Sequence, residues 1–237
     1  MTQVENIDSF EEGLKSGYAS DVKVVCGDRT WNLHKVILST RSTFFRKAFT
    51  GDSKEAHGDH LTLPDHKPHE VQGIITFIYT GRLCSNLEKD ESLETYIRIF
   101  ELGDTFGLGA LRTYAANKIE EVLVRIALVI NKVAIDPFLT ISPEAFDSFS
   151  RIARFSYSTS SETFAPLRKN MLGFFTSTGM NALQLGQFNE LFSKIPGMAT
   201  HVSTALADKA SPIGEVLHAL SDSLEQLRRT LENISVS

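Results

Sequence analysis

Residues 21–33, DVKVVCGDRTWNL, read as two short strands joined by a tight turn. Val22 and Val24 alternate with Lys23, β-branched residues are dense, and Gly27-Asp28 supplies the turn. Beyond this hairpin the pattern becomes helical. In HKVILSTRSTFFRKAFT, residues 34–50, the apolar positions Val36, Ile37, Phe44, Phe45, Ala48 and Phe49 suit two short helices, the second capped by Ser42. Upstream, Val4, Ile7, Phe10 and Leu14 recur at spacings of three and four, which predicts a short helix ended by Gly17.

Further along, residues 51–60 are polar and Gly-punctuated, and predict a loop. His60-Leu61-Thr62-Leu63 gives a third strand, stopped by Pro64. From Pro68, the residues Val71, Ile74, Ile75, Ile78 and Tyr79 fall at helical spacing, and Gly81 stands where a C-cap needs positive φ. Residues 84–92 form a charged connector. Tyr96, Ile99, Phe100 and Phe106 mark another helix, broken at Gly107-Leu108-Gly109, and a longer one runs from Leu111 to Ile130. After Asp136-Pro137 only helices are expected. One begins at Ser142-Pro143-Glu144, with proline at its first helical position. The cluster 156–161 is a linker, and further helices are expected at about 164–178, 182–193, 198–208 and 212–233.

Composition narrows the function. The 237 residues are 42% apolar and 22% charged, ordinary values for a chain that folds. Twenty-four basic against 29 acidic side chains leave a net charge of −5, which speaks against nucleic acid as a partner. Cys26 and Cys84 are too few and too far apart for a disulfide framework or zinc ribbon, and a reducing compartment is the simpler reading. The acidic first twenty residues lack the apolar stretch of a signal peptide. The apolar run Val122–Ile130 is too short to cross a membrane. The expected location is therefore cytoplasmic or nuclear, with no membrane partner.

Taken in order, several motifs of the first 120 residues resemble the BTB (POZ) protein-interaction domain, in the short form common among fungal proteins. They are Ser20-Asp21, Cys26-Gly27, His34-Lys35, Arg41-Ser42, Phe44-Phe45, Leu63-Pro64, Phe77-Ile78-Tyr79-Thr80-Gly81 and the ELGDTFGL stretch ending at Leu108. The region FNELFSKIPGMATHV, residues 188–202, also looks like the C-terminal helices of such proteins. The resemblance implies an α+β fold, a cluster of helices flanked by a three-stranded sheet, followed by an all-helical region. The corresponding division is a short helix at 1–17, a BTB/POZ domain at 18–130 and helices over 131–237, ending in a candidate coiled-coil helix at 212–234.

The same resemblance implies a non-enzymatic module that binds itself and other proteins, with no cofactor and no small-molecule substrate. The dimer interface would involve Val4, Ile7, Phe10, Leu14, Asp21 and Lys35. For the last two, a structural pairing of opposite charges and a role in orienting a partner are both open. His34, at a helix start, is expected to pack, with a ring nitrogen bonded to backbone. Cullin-binding members carry an apolar-x-Glu triplet after the Phe-rich helix, and Ser53-Lys54-Glu55 supplies only the glutamate. Losing the large anchor forfeits on the order of 1.5–3 kcal/mol, roughly ten- to a hundred-fold in affinity. A cullin-RING ligase adaptor is thus the alternative function.

Two patterns stand outside the resemblance. His57, His60, His66 and His69, interleaved with Asp59 and Asp65, are ligand types for zinc or nickel and would make a metal-dependent enzyme the second alternative. Their i, i+3 pairs straddle a loop and a strand, whereas a zincin needs i, i+4 on one helix, so a solvated loop is the simpler reading. No phosphate loop or GxSxG elbow appears, and packing is the expectation for Cys26 and Cys84. The second pattern is Ile213, Leu217, Leu220, Leu224, Leu227, Leu231 and Ile234, an apolar seam spaced 4-3-4-3-4-3. It packs either on its own chain or on another.

Overall fold

The computed structural model describes residues 11–50, 58–83, 92–136, 138, 140–178 and 180–207. Contacts divide the chain into two units, Met1–Val122 and Leu123–Ser237.

The first unit begins with a helical turn at 11–16 (α1), closed by Gly17 at φ +61. The expected hairpin follows as β1 (Val22–Cys26) and β2 (Arg29–Leu33), antiparallel with Val22 opposite Leu33 and Cys26 opposite Arg29. Val22, Val24 and Cys26 all point into the core, as period-two alternation demands. β3 (His60–Thr62) lies on the other side of β1 and runs parallel to it, giving the order β2-β1-β3. The Lys23 and Leu63 amides donate to Asp59 and Val25 carbonyls at 2.7 and 2.8 Å, so the ladder continues beyond the short strand.

Helices α2 (Lys35–Arg41), α3 (Thr43–Thr50), α4 (Pro68–Thr80) and α5 (Leu93–Thr105) pack beside the sheet. Each start is satisfied differently. Ser92 and Glu70 cap within their own helices, taking the Thr95 and Lys67 amides. For α3, Ser42 Oγ accepts the Phe45 amide at 3.2 Å, as its position predicts. α2 has no cap of its own, and Asp21 reaches across from the sheet to accept the Lys35 amide at 2.7 Å. Gly81 ends α4 at φ +72.

Two polar contacts lock the helices together. Glu70, almost fully buried, takes two hydrogen bonds from the Arg98 guanidinium at 2.8 and 2.9 Å, and Arg98 also reaches Glu101. Those bonds from Arg98 hold the Glu70 carboxyl below its ordinary range, against the opposing effect of burial. Tyr79, also buried, accepts the His34 amide at 3.0 Å through its hydroxyl. Its hydroxyl also lies 2.8 Å from His34 Nδ1, while His34 Nε2 lies 2.8 Å from the Tyr18 carbonyl. A carbonyl can only accept, so Nε2 carries the proton in the neutral ring and the Tyr79 hydroxyl donates to Nδ1. His34 therefore bonds backbone, as expected, and additionally ties α1 to α4.

The long helix α6 extends further than its sequence pattern suggested, over Gly109–Ile135, and the division between units falls within it. The second unit continues with α7 (Pro143–Ser156), a 3-10 turn (Glu162–Phe164), α8 (Ala165–Thr178), α9 (Met180–Leu183), α10 (Gly186–Lys194) and a helix at 196–207 (α11). Ser142 caps α7 by accepting the Ala145 amide, with Pro143 at the first turn. Its core is aromatic. Phe149 meets Phe174, Phe188 and Phe175 at ring-centroid distances of 4.5, 4.9 and 5.8 Å. The expected helix 182–193 is instead two, parted at Gln184-Leu185, because Phe188 must turn into that cluster. Among the described residues no helix is long and apolar enough to cross a membrane.

Two measurements check these contacts. Arg98→Ala strands a buried carboxylate and should lower stability by about 1.5–3 kcal/mol. Because the folded Glu70 is held below its ordinary pKa, that stabilisation is complete at neutral pH and is lost as pH falls through the folded value. Urea denaturation of both proteins should show the gap closing in acid. Tyr79→Phe should cost about 1–3 kcal/mol, since the half-buried His34 amide loses its acceptor. Burial pushes the Tyr79 phenol from 10.0 to about 12. Its neutral form therefore contributes stability below pH 10 that disappears as pH rises toward 12, and ultraviolet titration should lose one late-ionising phenol in the variant.

Candidate protein-interaction surface

The outer side of α2 is apolar where a solvated helix would be polar. Val36, Ile37 and Leu38 are consecutive, about 100° apart around the helix, so they cannot share one face. Leu38 takes the core and Val36 is left 71% exposed. Val36, Ile37, Thr40 and Arg41 line a shallow cavity of about 330 Å³. Arg41 Nη1 donates to the Ile78 carbonyl at 2.7 Å and walls off a second cavity of about 300 Å³, lined by Phe77, Ile78, Gly81, Leu108, Gly109 and Ala110.

Next to this face lies α1. Its approach is fixed by the bond between His34 and the Tyr18 carbonyl, and Tyr18 is left 84% exposed four residues before the start of β1. Leu14 is half-buried on α1. Val4, Ile7 and Phe10 lie outside the described residues. Of the apolar residues expected at a dimer interface, Leu14 alone lies among the described residues, and the exposed Tyr18 and Val36, with Ile37 and Thr40, are residues that the spacing pattern does not single out. The signal for them lies in Val36-Ile37-Leu38, three apolar residues in succession on a short helix.

Asp21 and Lys35 do stand together, but not as an ion pair of side chains. Asp21 accepts the Lys35 backbone amide, and Lys35 Nζ donates to the Gly58 carbonyl at 2.8 Å and lies 5.6 Å from the Phe49 ring centre. An amide donor at a helix start, carrying part of the helix dipole, is a fixed partner for a carboxylate and does not require ordering a long side chain. Ser53, Lys54 and Glu55 lie outside the described residues, as do Cys84, His57 and the seam from Ile213 to Ile234.

The remaining histidines part company. His60 Nδ1 bonds the Asp59 carboxylate, His66 packs against Phe106 at 5.0 Å, and His69 is exposed on the first turn of α4. Among the described residues no three His, Cys, Asp or Glu side chains group as metal ligands. Cys26 is buried, and its thiol donates to the His66 carbonyl at 3.0 Å. Burial, with Glu70 and Asp28 behind it, pushes the thiol pKa up, the opposite of what a nucleophile needs.

Comparison with known proteins agrees with this geometry. The BTB/POZ domain family matches residues 10–121. A BTB/POZ domain-containing protein of Arabidopsis thaliana is 33% identical over 111 residues, covering 46% of this chain and 14% of its own. Kelch repeat and BTB domain-containing protein 4 of Mus musculus is 35% identical over 98 residues, covering 41% and 17%. The Kelch repeat protein M-T9 of Myxoma virus is 38% identical over 98 residues, covering 41% and 18%. The chain thus spans less than a fifth of the length of these relatives. Among solved structures, the BTB domain of zebrafish PATZ1 aligns over 49% of this chain and 90% of its own, at 19% identity and a TM-score of 0.41. The chain carries, at residues 10–121, a BTB/POZ domain, which is a protein-interaction module.

Proposed function

We propose that this protein is a non-enzymatic assembly module that associates with a second copy of itself through the outer face of α2 and α1, and offers its helical second unit to another protein. The observation that carries the reading is the exposure of Val36 beside Ile37 and Thr40, on a helix whose core contact is already made by the fully buried Leu38. Burying such side chains yields about 25 cal/mol per Å² removed from water, and a two-fold contact doubles each gain because the same patch serves both partners. The polar frame beneath, Asp21 on Lys35 and His34 between Tyr18 and Tyr79, holds the patch rigid before it meets a partner. Preorganisation of that kind lowers the entropic cost of docking.

A second reading, coupling of a substrate to a cullin, is supported by Glu55 in the sequence that follows α3 and weakened by Ser53 at the apolar anchor position. It requires no change in the first, since the two contacts use different parts of the domain.

Light scattering at micromolar concentration should report twice 26.3 kDa for the chain and, for Val36→Glu, one copy whose circular dichroism shows it still folded. A single copy for the wild type, or an unaltered dimer for the variant, would remove the proposal. Calorimetry against a cullin N-terminal domain should show weak or no binding for the wild type and a gain of roughly ten-fold or more for Ser53→Leu. Equal affinity would mean that this loop is not the contact.

A further inference from the structure

Helix α6 buries one apolar stripe and leaves a second in water. Leu123, Ile126, Ala127 and Ile130 face the core. On the opposite side, Val124, Leu128 and Ile135 share a face at spacings of four and seven, and they are 53%, 58% and 85% exposed. Phe138, just beyond the helix, is exposed almost completely. Asn131, bonded to the Ser177 carbonyl and to Asn181, and Lys132 interrupt the strip between Leu128 and Ile135, and the apolar side chains on either side of them answer to a partner helix.

We propose that the strip is covered by residues 213–234 of the same chain. These lie outside the described residues, but the point from which they depart is fixed. The chain leaves α11 at residue 207 with 30 residues remaining, and the seam from Ile213 to Ile234 occupies 22 of them. As a helix it would be about 32 Å long, against about 17 Å along α6 from Val124 to Ile135. The tether 208–212 can stretch to about 20 Å, while a compact body of some 85 residues has a radius of gyration near 12 Å. The tether is thus longer than the radius of the body that it leaves.

The flanks of the seam favour an occupant from the same chain. Gly214, Val216, Ser221, Ser223 and Thr230 beside it are small and uncharged, with Arg228 the one exception. A chain-to-chain coiled coil selects its partner through charges at those positions, whereas a helix lying on its own domain buries a wider stripe and needs them small. A short tether also supplies an effective concentration in the millimolar range, about a thousand-fold above a micromolar second copy. This inference does not rest on self-association through α2, and each can fail without the other.

The test is disulfide trapping in the full chain, with Cys84 replaced by serine and buried Cys26 kept. Leu128→Cys is paired in turn with Leu217→Cys, Leu224→Cys and Leu231→Cys. Asp222→Cys, on the far side of the same helical pattern, is the control. At least one seam pair should close about ten-fold faster than the control and run at the mass of a single chain, because a disulfide needs its Cα atoms within about 7 Å. Covalent dimers from the seam pairs, or no pair faster than the control, would overturn the proposal. Leu128 lies on the exposed face, so Leu128→Asp should leave the core intact and raise hydrogen exchange in 213–234 at least ten-fold; unchanged exchange would also overturn it.

Discussion

The first unit is organised around one buried hydroxyl. Ser42, fully out of solvent, sits at the corner between α2 and α3, where its Oγ accepts the Phe45 amide and donates to the Phe106 carbonyl at 2.6 Å. One small side chain thus starts α3 and also satisfies the end of α5, so two helical corners are fastened to each other. The approach is close enough to dictate the next residue. A Cβ on Gly107 would stand 1.8 Å from Thr43 Oγ1, and the backbone there has φ +64, so only glycine meets both conditions. Phe44 meets Phe106 edge-on at 5.0 Å and Phe45 stacks on it at 5.7 Å, packing apolar surface around the bond. With the hydroxyl removed, a buried carbonyl and a helix-start amide would both lose partners in the same step.

This corner also explains why short motifs could identify the fold when periodicity alone could not. Arg41-Ser42, Phe44-Phe45 and the run ending at Leu108 lie more than 50 residues apart in sequence, yet they are the two sides of one contact. The hairpin was legible because its pairing is local, and the ends of α3, α4 and α7 because their signals, Ser42, Gly81 and Ser142-Pro143, act within a turn of themselves. The parallel pairing of β3 with β1 was not legible. Three residues, His60–Thr62, carry no information about the direction of a strand more than 30 residues away. Nor was the role of Asp21, since a charge pattern cannot distinguish a lysine side chain from the amide of the same lysine.

The two units are stabilised in different ways. In the first, polar groups at helix ends are fixed by specific partners from elsewhere in the fold, as in Asp21 with the Lys35 amide, His34 with Tyr79, and Glu70 with Arg98. These bonds are directional, so they set the angle at which α2 presents its outer face. In the second, Phe149 at the centre of Phe174, Phe175 and Phe188 does most of the holding, and polar contacts such as Tyr157 with His201 at 2.9 Å lie nearer the edge. Aromatic packing fills volume and specifies orientation less strictly than a capped helix does. A recognition surface that must match its own copy belongs on the first kind of frame.

Neither exposed apolar face is accounted for by the contacts of the described residues. On α2, Leu38 supplies the buried contact and Val36 adds nothing to it; on α6, Ala127 and Ile130 face the core while Leu128 points away. An exposed valine or leucine at such a position could be replaced by a polar residue with little effect on stability, since surface changes away from special features usually fall within about 0.5 kcal/mol. Folding therefore places no demand on these side chains, and solubility argues against them, with a net charge of −5 left to keep chains apart until the faces are covered. Apolar character that the inner contacts do not use and the solvent opposes is explained by a further contact, with a second copy at α2 and with the chain's own seam at α6, and it occurs here on helices whose inner faces are already occupied.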